Sequence, residues 1–261
     1  MSAVAKYIKG LLEQGQHHFT TEDAVQALGG DRKPIARALK RLISKGELAS
    51  PQRSFYVVVP PEYKVLGCLP AEQFIPHLME NVGESYHVGL LSAAQLHGAA
   101  HHRPQRFQVM VGKPRSSIEC GKVLVDFHVR KDLERVATVV LNTPRGQVRI
   151  SSPEATALEL VGYAKHAGGL DNVATVLVDL AESIDAGRLA EEAAKVPLAW
   201  SQRLGFLLDL VEAGEIASAL LPYVREHATR VAPLDASLPR TGRERSERWR
   251  LAINTDVEVD S

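Results

Sequence analysis

The chain has little cysteine, no long apolar run and no net charge, and each of these absences excludes a class of protein. Its 261 residues include two cysteines, Cys68 and Cys120, without the CxxC spacing of a zinc site or the density of a disulfide framework. No apolar run approaches the roughly 18 residues that span a membrane, and the first residues lack an apolar export segment. We therefore expect a soluble cytoplasmic protein with no membrane partner.

Positive and negative charges balance over the whole chain but not along it. In total, 31 Lys and Arg residues match 31 Asp and Glu residues. Residues 1–60 hold nine basic against five acidic residues, which leaves 22 against 26 in the remainder. The excess of positive charge near the N-terminus indicates an anionic partner for that segment.

Three helical patterns and two short β-forming runs make up the first 60 residues. The first helix has apolar residues at helical spacing and ends at Gly15, and the second begins where Thr20 and Asp23 can form a reciprocal capping box. The third, DRKPIARALKRLISKG, has Pro34 in its first turn. A hairpin around a PQRS turn follows. This order predicts a winged helix-turn-helix domain over residues 1–60.

The third predicted helix has one apolar and one cationic face. Its packing face is predicted to contain Ile35, Leu39, Leu42 and Ile43. No carboxylate lies between Arg32 and Lys45, so a DNA phosphate backbone is the counter-charge that fits the other face. The plainer alternative is a solvated charged face. The predicted DNA contacts, with the last at the hairpin tip, are Arg32, Lys33, Arg37, Lys40, Arg41 and Arg53.

A Pro-Pro break at residues 60–61 predicts a domain boundary within residues 60–66, followed by a larger mixed α/β domain over residues 67–261. Four strands are predicted from RFQVMV, KVLVDFHV, VATVVL and QVRIS, and Val129 should face inward and Arg130 outward. A helix should begin at Ser152 and Pro153. The predicted fold class is thus α+β.

Histidines cluster in the segment GLLSAAQLHGAAHHRPQ. His97 and His101 are four residues apart, at the spacing of a helical zinc site, and His102 follows them. However, Gly98 weakens the helix and Pro104 ends it, and no nearby Cys, Asp or Glu completes a ligand set. The pattern therefore favours structural or polar contacts, with no metal and no cofactor.

A second basic cluster could bind nucleic acid or an acidic partner. Because Glu244 and Glu247 are interspersed near the C-terminus, a solvated loop is the favoured interpretation. The residues of this possible patch are Arg103, Arg106, Arg240, Arg243, Arg245 and Arg248.

A metal-dependent nuclease is the enzymatic alternative, with Glu119, Asp126 and Glu154 as candidate carboxylates and Lys122 nearby. Asp126 lies in an alternating strand and Glu154 in a first helical turn, where carboxylates occur for structural reasons. The sequence contains no glycine-rich phosphate loop and no nucleophile elbow. We therefore expect no catalytic residues and no enzyme.

The segment YHVGLLSAAQLHGAAHHRPQ, together with SSPEATALELVGY and the terminal LAINTDVEVD, resembles the AbiEi antitoxin family of type IV toxin–antitoxin systems, which act in abortive infection. The resemblance implies an N-terminal domain that represses its own operon at an inverted repeat in the operator DNA. It also implies a C-terminal domain that counters a nucleotidyltransferase toxin, with or without a direct complex. The alternative is a winged-helix regulator with a ligand-sensing C-terminal domain.

Overall fold

The computed structural model describes residues 2–99, 104–239 and 244–259. Two compact units make up the chain. The first consists of Met1–Tyr86, Gln105–Lys131 and Val140–Arg149, and the second of His87–Pro104, Asp132–Val139 and Ile150–Ser261. Helices and several sheets occur together, so the predicted α+β class is confirmed. No helix of the described residues is long and apolar enough to cross a membrane.

The first unit begins with three helices and a three-stranded antiparallel sheet in the order β1-β3-β2. Thr20 accepts a hydrogen bond from the Asp23 backbone and the Asp23 side chain accepts one from Thr20, which confirms the predicted capping box. Strand β1 was not predicted, because three residues are too few for a strand pattern. The elements are α1 (Ala3–Glu13), β1 (His18–Thr20), α2 (Thr21–Leu28), α3 (Arg32–Ser44), β2 (Leu48–Gln52) and β3 (Phe55–Val58).

This small sheet is buried on both faces. Leu48 and Val58 pack with the three helices, in a core that also contains Phe19. Phe55 and Val57 belong to a second core, which contains residues as far along the chain as Val125. Burial on both sides explains the unbroken apolar run at residues 55–59. Residues 1–59 thus share a core with later residues of the first unit, and the boundary within residues 60–66 stays a prediction.

Helix α4 and six strands, β4 to β9, lie in the middle of the chain, with helix α5 (Leu90–Leu96) of the second unit between β4 and β5. Strand β5 runs parallel to β7, with Val109 opposite Phe127, and β6 runs antiparallel to β7. Strand β4 pairs in parallel with β9 through Val88 and Ile150. Helix α4 and strands β4 and β6 were not predicted. The bounds are α4 (Ala71–Val82), β4 (Tyr86–Val88), β5 (Phe107–Val111), β6 (Ile118–Cys120), β7 (Val123–Val129), β8 (Thr138–Thr143) and β9 (Gly146–Ser151).

The predicted alternation along β7 is wrong at its C-terminal end. Val129 is 40% exposed, whereas Arg130 is 6% exposed. The strand ends at Val129, and the Arg130 backbone amide still donates a hydrogen bond to the Val111 carbonyl. Because the regular pleat stops there, the two-residue period no longer decides which side chain is buried.

The second unit is mainly helical and closes with a small sheet in the order β10-β12-β11. Ser152 caps α6 by accepting a hydrogen bond from the Ala155 amide, and Pro153 is the first helical residue, as predicted. The bounds are α5 (Leu90–Leu96), α6 (Pro153–Gly162), α7 (Leu170–Leu180), α8 (Ala186–Ala193), α9 (Leu198–Leu210), α10 (Gly214–Ser218), α11 (Leu221–His227), β10 (Ala232–Pro233), β11 (Glu244–Ser246) and β12 (Leu251–Ile253).

Two glycines of this unit lie against tryptophan rings. A Cβ atom on Gly162 would lie 2.3 Å from Trp200, and one on Gly205 would lie 2.2 Å from Trp249. Trp249 is fully buried, and its indole nitrogen donates a hydrogen bond to Asp209 at 2.6 Å. The segment after β11 is therefore packed closely against α9.

Candidate functional site

Helix α3 separates apolar from charged side chains, as expected. Ile35, Leu39 and Leu42 are buried in the core that they share with α1, α2 and the small sheet. The fourth residue assigned to this face, Ile43, is a wrong assignment because it is 37% exposed. Ile43 lies one residue before the helix ends, at the margin of the packed face.

The cationic face of α3 consists of Lys33, Arg37, Lys40 and Arg41. All four side chains are exposed. Within the part of the chain that the structure describes, none of the four has a carboxylate within ion-pair distance. Four unneutralised cations on 13 residues give this face an attraction for polyanions.

Arg32 differs from the cationic face because α2 supplies a partner. Its guanidinium lies 2.8 Å from a carboxylate oxygen of Glu22, and both side chains are about 62% exposed. Sequence reasoning missed this pair because it searched for carboxylates only along the third helix. Since both groups are in water, the pair is weak, and Arg32 can exchange Glu22 for another anion.

Arg53 lies at the tip of the hairpin between β2 and β3, as predicted. The turn consists of Arg53 and Ser54, and Ser54 has φ = 66°. The Ser50 hydroxyl closes the turn by donating to the carbonyls of Gln52 and Phe55. Pro51 and Gln52 belong to β2, so the turn is two residues shorter than the predicted PQRS turn. The Arg53 side chain is exposed.

A cavity of about 220 Å³ in the first unit is lined by three histidines and an arginine, none of which sequence reasoning selected. His18 stacks on His77 with ring centroids 3.9 Å apart. Burial, followed by the nearby His77, lowers the pKa of His18 to about 4. Burial, followed by Arg145, also lowers the pKa of His17. No local pattern brings these residues together, because they lie at the start of β1 and just before it, on α4, and in the turn after β8.

Two residues of the possible second basic patch, Arg106 and Arg248, have acidic partners. Arg106 Nε lies 2.6 Å from an Asp126 oxygen, and Arg248 Nε lies 3.1 Å from an Asp209 oxygen. The Arg248 guanidinium also stacks on Trp249, 5.5 Å from the ring centroid. Arg245 is exposed on β11. Arg103, Arg240 and Arg243 lie outside the described residues.

Two carboxylates of the nuclease alternative, Asp126 and Glu154, make structural contacts, whereas the Glu119 side chain is largely exposed. Asp126 binds Arg106 and Ser117, and the hydrogen bond from Arg106 is the main cause that holds its pKa below the usual value. Glu154 is 1% exposed and accepts a hydrogen bond from the Asp185 amide at 3.0 Å. Within the described ranges, no group of three or more His, Cys, Asp or Glu side chains could hold a metal ion.

His97 makes a structural contact, which agrees with the favoured interpretation of the histidine segment. Helix α5 ends at Leu96, and Gly98 has φ = 84°. Nε2 of His97 lies 2.8 Å from the Ser151 carbonyl, so this nitrogen carries the proton and donates. Burial is the main cause that lowers the pKa of His97. His101 and His102 lie outside the described residues.

Buried polar pairs hold the interior of the second unit together. Nε2 of His87 donates to Glu159 at 2.8 Å, and both side chains are at most 1% exposed. The hydroxyls of Ser151 and Thr156 are 2.7 Å apart. Both pairs join β-strand residues to α6. Little in the sequence indicated that His87 and Glu159 are in contact, because they are far apart in the chain.

Comparisons with known proteins match part of the chain to a family model. Residues 87–210 match the family model described as the AbiEi antitoxin C-terminal domain. The crystal structure of the RV2827C protein from Mycobacterium tuberculosis is similar in fold, with a TM-score of 0.68 and 18% identity over 95% of this chain and 89% of that chain.

A second solved structure is less similar. It is an antigenic nucleotidyltransferase-like protein from Paracoccidioides brasiliensis, with a TM-score of 0.40 and 12% identity over 57% of this chain and 90% of that chain. That score does not establish a shared fold. No curated protein sequence matches the chain.

Proposed function

Residues 87–210 match the AbiEi antitoxin C-terminal domain family, and from this premise we propose that the chain is a type IV antitoxin and an autorepressor. The match confirms the resemblance that the sequence suggested. An antitoxin implies a toxin partner, which we propose to be a nucleotidyltransferase. The N-terminal helices and small sheet would bind operator DNA upstream of the operon.

The exposed cationic face of α3 is the observation that carries the DNA-binding half. Three helices followed by a β2–β3 hairpin are the element order of a winged helix-turn-helix. In that motif the third helix enters the major groove, and its cations contact phosphates and base edges. Lys33, Arg37, Lys40 and Arg41 are exposed, while the opposite side of α3 is anchored in the core.

Roles within this face follow from position along the helix. Arg32 and Lys33 lie in the first turn and Arg37 in the second, where major-groove base contacts occur in helix-turn-helix proteins. Lys40 and Arg41 are farther along α3 and would contact phosphates. Arg53 at the hairpin tip would contact the backbone or the minor groove.

A ligand-sensing regulator is the second candidate, and a cavity in the second unit favours it. The cavity has a volume of about 210 Å³, and charged side chains, Lys165, Arg203 and Asp235, contribute to its lining. The downstream gene separates the two candidates. A nucleotidyltransferase reading frame beside this gene supports the antitoxin, and a metabolic enzyme there supports the sensor.

Arg37→Glu combined with Arg41→Glu should abolish specific DNA binding. Both side chains are exposed, so the substitution should reverse the charge of the face without disturbing the core. We expect an affinity loss of about 100-fold or more for DNA from upstream of the gene, and a salt dependence reduced by about one phosphate contact, that of Arg41. The measurement is fluorescence anisotropy over a salt titration, with scrambled DNA as the competitor.

Lys113→Glu combined with Lys131→Glu is the matched control, because it makes the same charge change at exposed positions outside α3. This variant should retain the salt slope and most of the affinity of the parent chain. Equal losses in the two variants would show that overall charge, and not the face of α3, attracts DNA. Unchanged affinity in the α3 variant would contradict the assignment of this helix.

A further inference from the structure

The two cysteines of the chain occur in segments that lie side by side in the first unit. The Lys122 amide donates a hydrogen bond to the Leu66 carbonyl at 2.7 Å. A Cβ atom on Gly121 would lie 2.8 Å from the Cα atom of Gly67. Residue 122 is therefore beside residue 66, and 121 is beside 67, so the two segments run antiparallel.

The same register places Cys68 opposite Cys120. A disulfide needs Cα atoms about 4.4 to 6.8 Å apart, and each cysteine lies one residue beyond the close contact of Gly67 with Gly121. Both thiols belong to one hydrophobic core. A side-chain hydrogen bond between the two thiols is the first cause of the pKa shift of each.

Two glycines make this approach possible. Gly67 and Gly121 have φ values of 74° and 59°, in the left-handed region that favours glycine. A Cβ atom on Gly121 would also lie 2.3 Å from the Leu66 carbonyl oxygen, so a larger residue would force the segments apart. The LGC and ECG sequences thus bring the thiols together although 52 positions separate them in the chain.

We propose that Cys68 and Cys120 are a redox-active dithiol that forms a reversible disulfide by exchange with a small-molecule disulfide such as oxidised glutathione. The Cys120 thiolate attacks one glutathione sulfur, forms a mixed disulfide and releases one glutathione thiolate. Cys68 then loses its proton to solvent and attacks the Cys120 sulfur, which expels the second glutathione. Two protein thiols are oxidised, and one glutathione disulfide is reduced to two thiols.

The environment assigns the order of attack. Cys68 is fully buried, whereas Cys120 keeps 7% of its surface exposed. The hydrogen bond from Cys68 lowers the pKa of Cys120, and the same bond, together with burial, raises the pKa of Cys68. Cys120 is therefore the sulfur that ionises and is reached first. This inference does not depend on the proposed function.

The test is a redox titration of the full chain in glutathione buffers, approached from the reduced and from the oxidised protein. Samples are quenched in acid, alkylated and analysed by mass spectrometry for a peptide that links Cys68 to Cys120. We expect the equilibrium constant for disulfide formation to be at least about 10-fold larger for the folded chain than for the chain in guanidinium, since folding holds the thiols together.

Thermal denaturation provides the second measurement. The oxidised chain, prepared in denaturant and refolded, should melt roughly 5 °C or more above the reduced chain, because the native geometry accommodates the bond. In Cys68→Ser, glutathione should give only the mixed disulfide at Cys120. A folded-state equilibrium constant no larger than that in guanidinium, or an oxidised chain that melts at or below the reduced one, would overturn the proposal.

Discussion

Helices α3 and α6 differ in where their ionisable side chains lie: on the surface in α3 and in the interior in α6. On α3, Arg37 and Arg41 are exposed, whereas on α6 Glu154 and Glu159 are buried and accept hydrogen bonds from the Asp185 amide and His87. Exposed charges contribute little to folding, but buried ones must be satisfied by the surrounding structure. We therefore expect that the exposed side chains of α3 can be substituted without unfolding the protein, whereas the buried side chains of α6 cannot.

The largest loss of stability is expected where the interior of the second unit is most tightly packed. In Gly205→Ala the new methyl group would lie 2.2 Å from Trp249, which is buried and held by Asp209. We expect the free energy of unfolding to fall by about 3 kcal/mol or more, although Ala is the better helix former. Urea denaturation followed by circular dichroism measures this change.

Gly10→Ala is the matched control for that substitution. Gly10 lies inside α1, and a Cβ atom there meets nothing within 4 Å. This variant should be as stable as the parent chain or more stable by up to about 1 kcal/mol. If both variants lost the same stability, helix backbone effects and not the contact with Trp249 would be responsible.

Removing a buried carboxylate should have the next largest effect. Glu159→Leu leaves Nε2 of His87 buried without its acceptor, so we expect a loss of about 3 kcal/mol in the free energy of unfolding. Glu159→Gln keeps an acceptor oxygen of nearly the same shape and should lose much less. Thermal denaturation compares the two. If Glu159→Leu lowered the free energy of unfolding by less than about 1 kcal/mol, the buried carboxylate of α6 would matter no more to stability than the exposed charges of α3.

The next effect is smaller and concerns stability in acid, because the first unit contains a half-buried ionisable group, His18. The pKa of His18 is lowered to about 4 from an ordinary value near 6.5, so below pH 6.5 the unfolded chain binds a proton that the folded chain excludes. The contribution of His18 to the free energy of unfolding is therefore fully present above pH 6.5, and it is lost as the pH falls toward 4. Nearby groups are His77, His17 and Asp23.

His18→Phe keeps an aromatic ring between Phe55 and His77 but cannot bind a proton. Between pH 7 and pH 4 the parent chain should lose about 2 kcal/mol more than this variant in urea denaturation. Equal losses in the two proteins would show that other groups cause the acid sensitivity. The acid sensitivity would then belong to groups other than His18, such as His17, whose pKa is also lowered.

Short-range patterns in the sequence predicted local structure correctly, whereas contacts between residues far apart in the chain were not predicted. The Thr20–Asp23 capping box and the helix start at Pro153 depend on residues a few positions apart, so they were visible. The pairs Arg32 with Glu22 and Gly205 with Trp249 join different elements. No spacing rule along one element reveals such pairs, because the fold decides which surfaces meet.

The candidate site was predicted in a similar way. The 3.6-residue period of α3 placed Arg37 and Lys40 opposite Leu39, and the structure has this arrangement. The exposure of Ile43 and the burial of Arg130 depend on where each element ends, which the period does not give. The cavity around His18 and His77 depends on α4, an element that sequence reasoning missed.

The most direct test of the account measures repression and toxin neutralisation in the same cells, using the full chain that carries Arg37→Glu and Arg41→Glu. A reporter under the chain's own promoter measures repression, and growth during expression of the proposed nucleotidyltransferase toxin measures neutralisation. The account predicts that the variant loses repression and still restores growth as well as the parent chain. A variant that keeps repression, or that loses both activities while it is folded and abundant, would contradict the separation of the two regions.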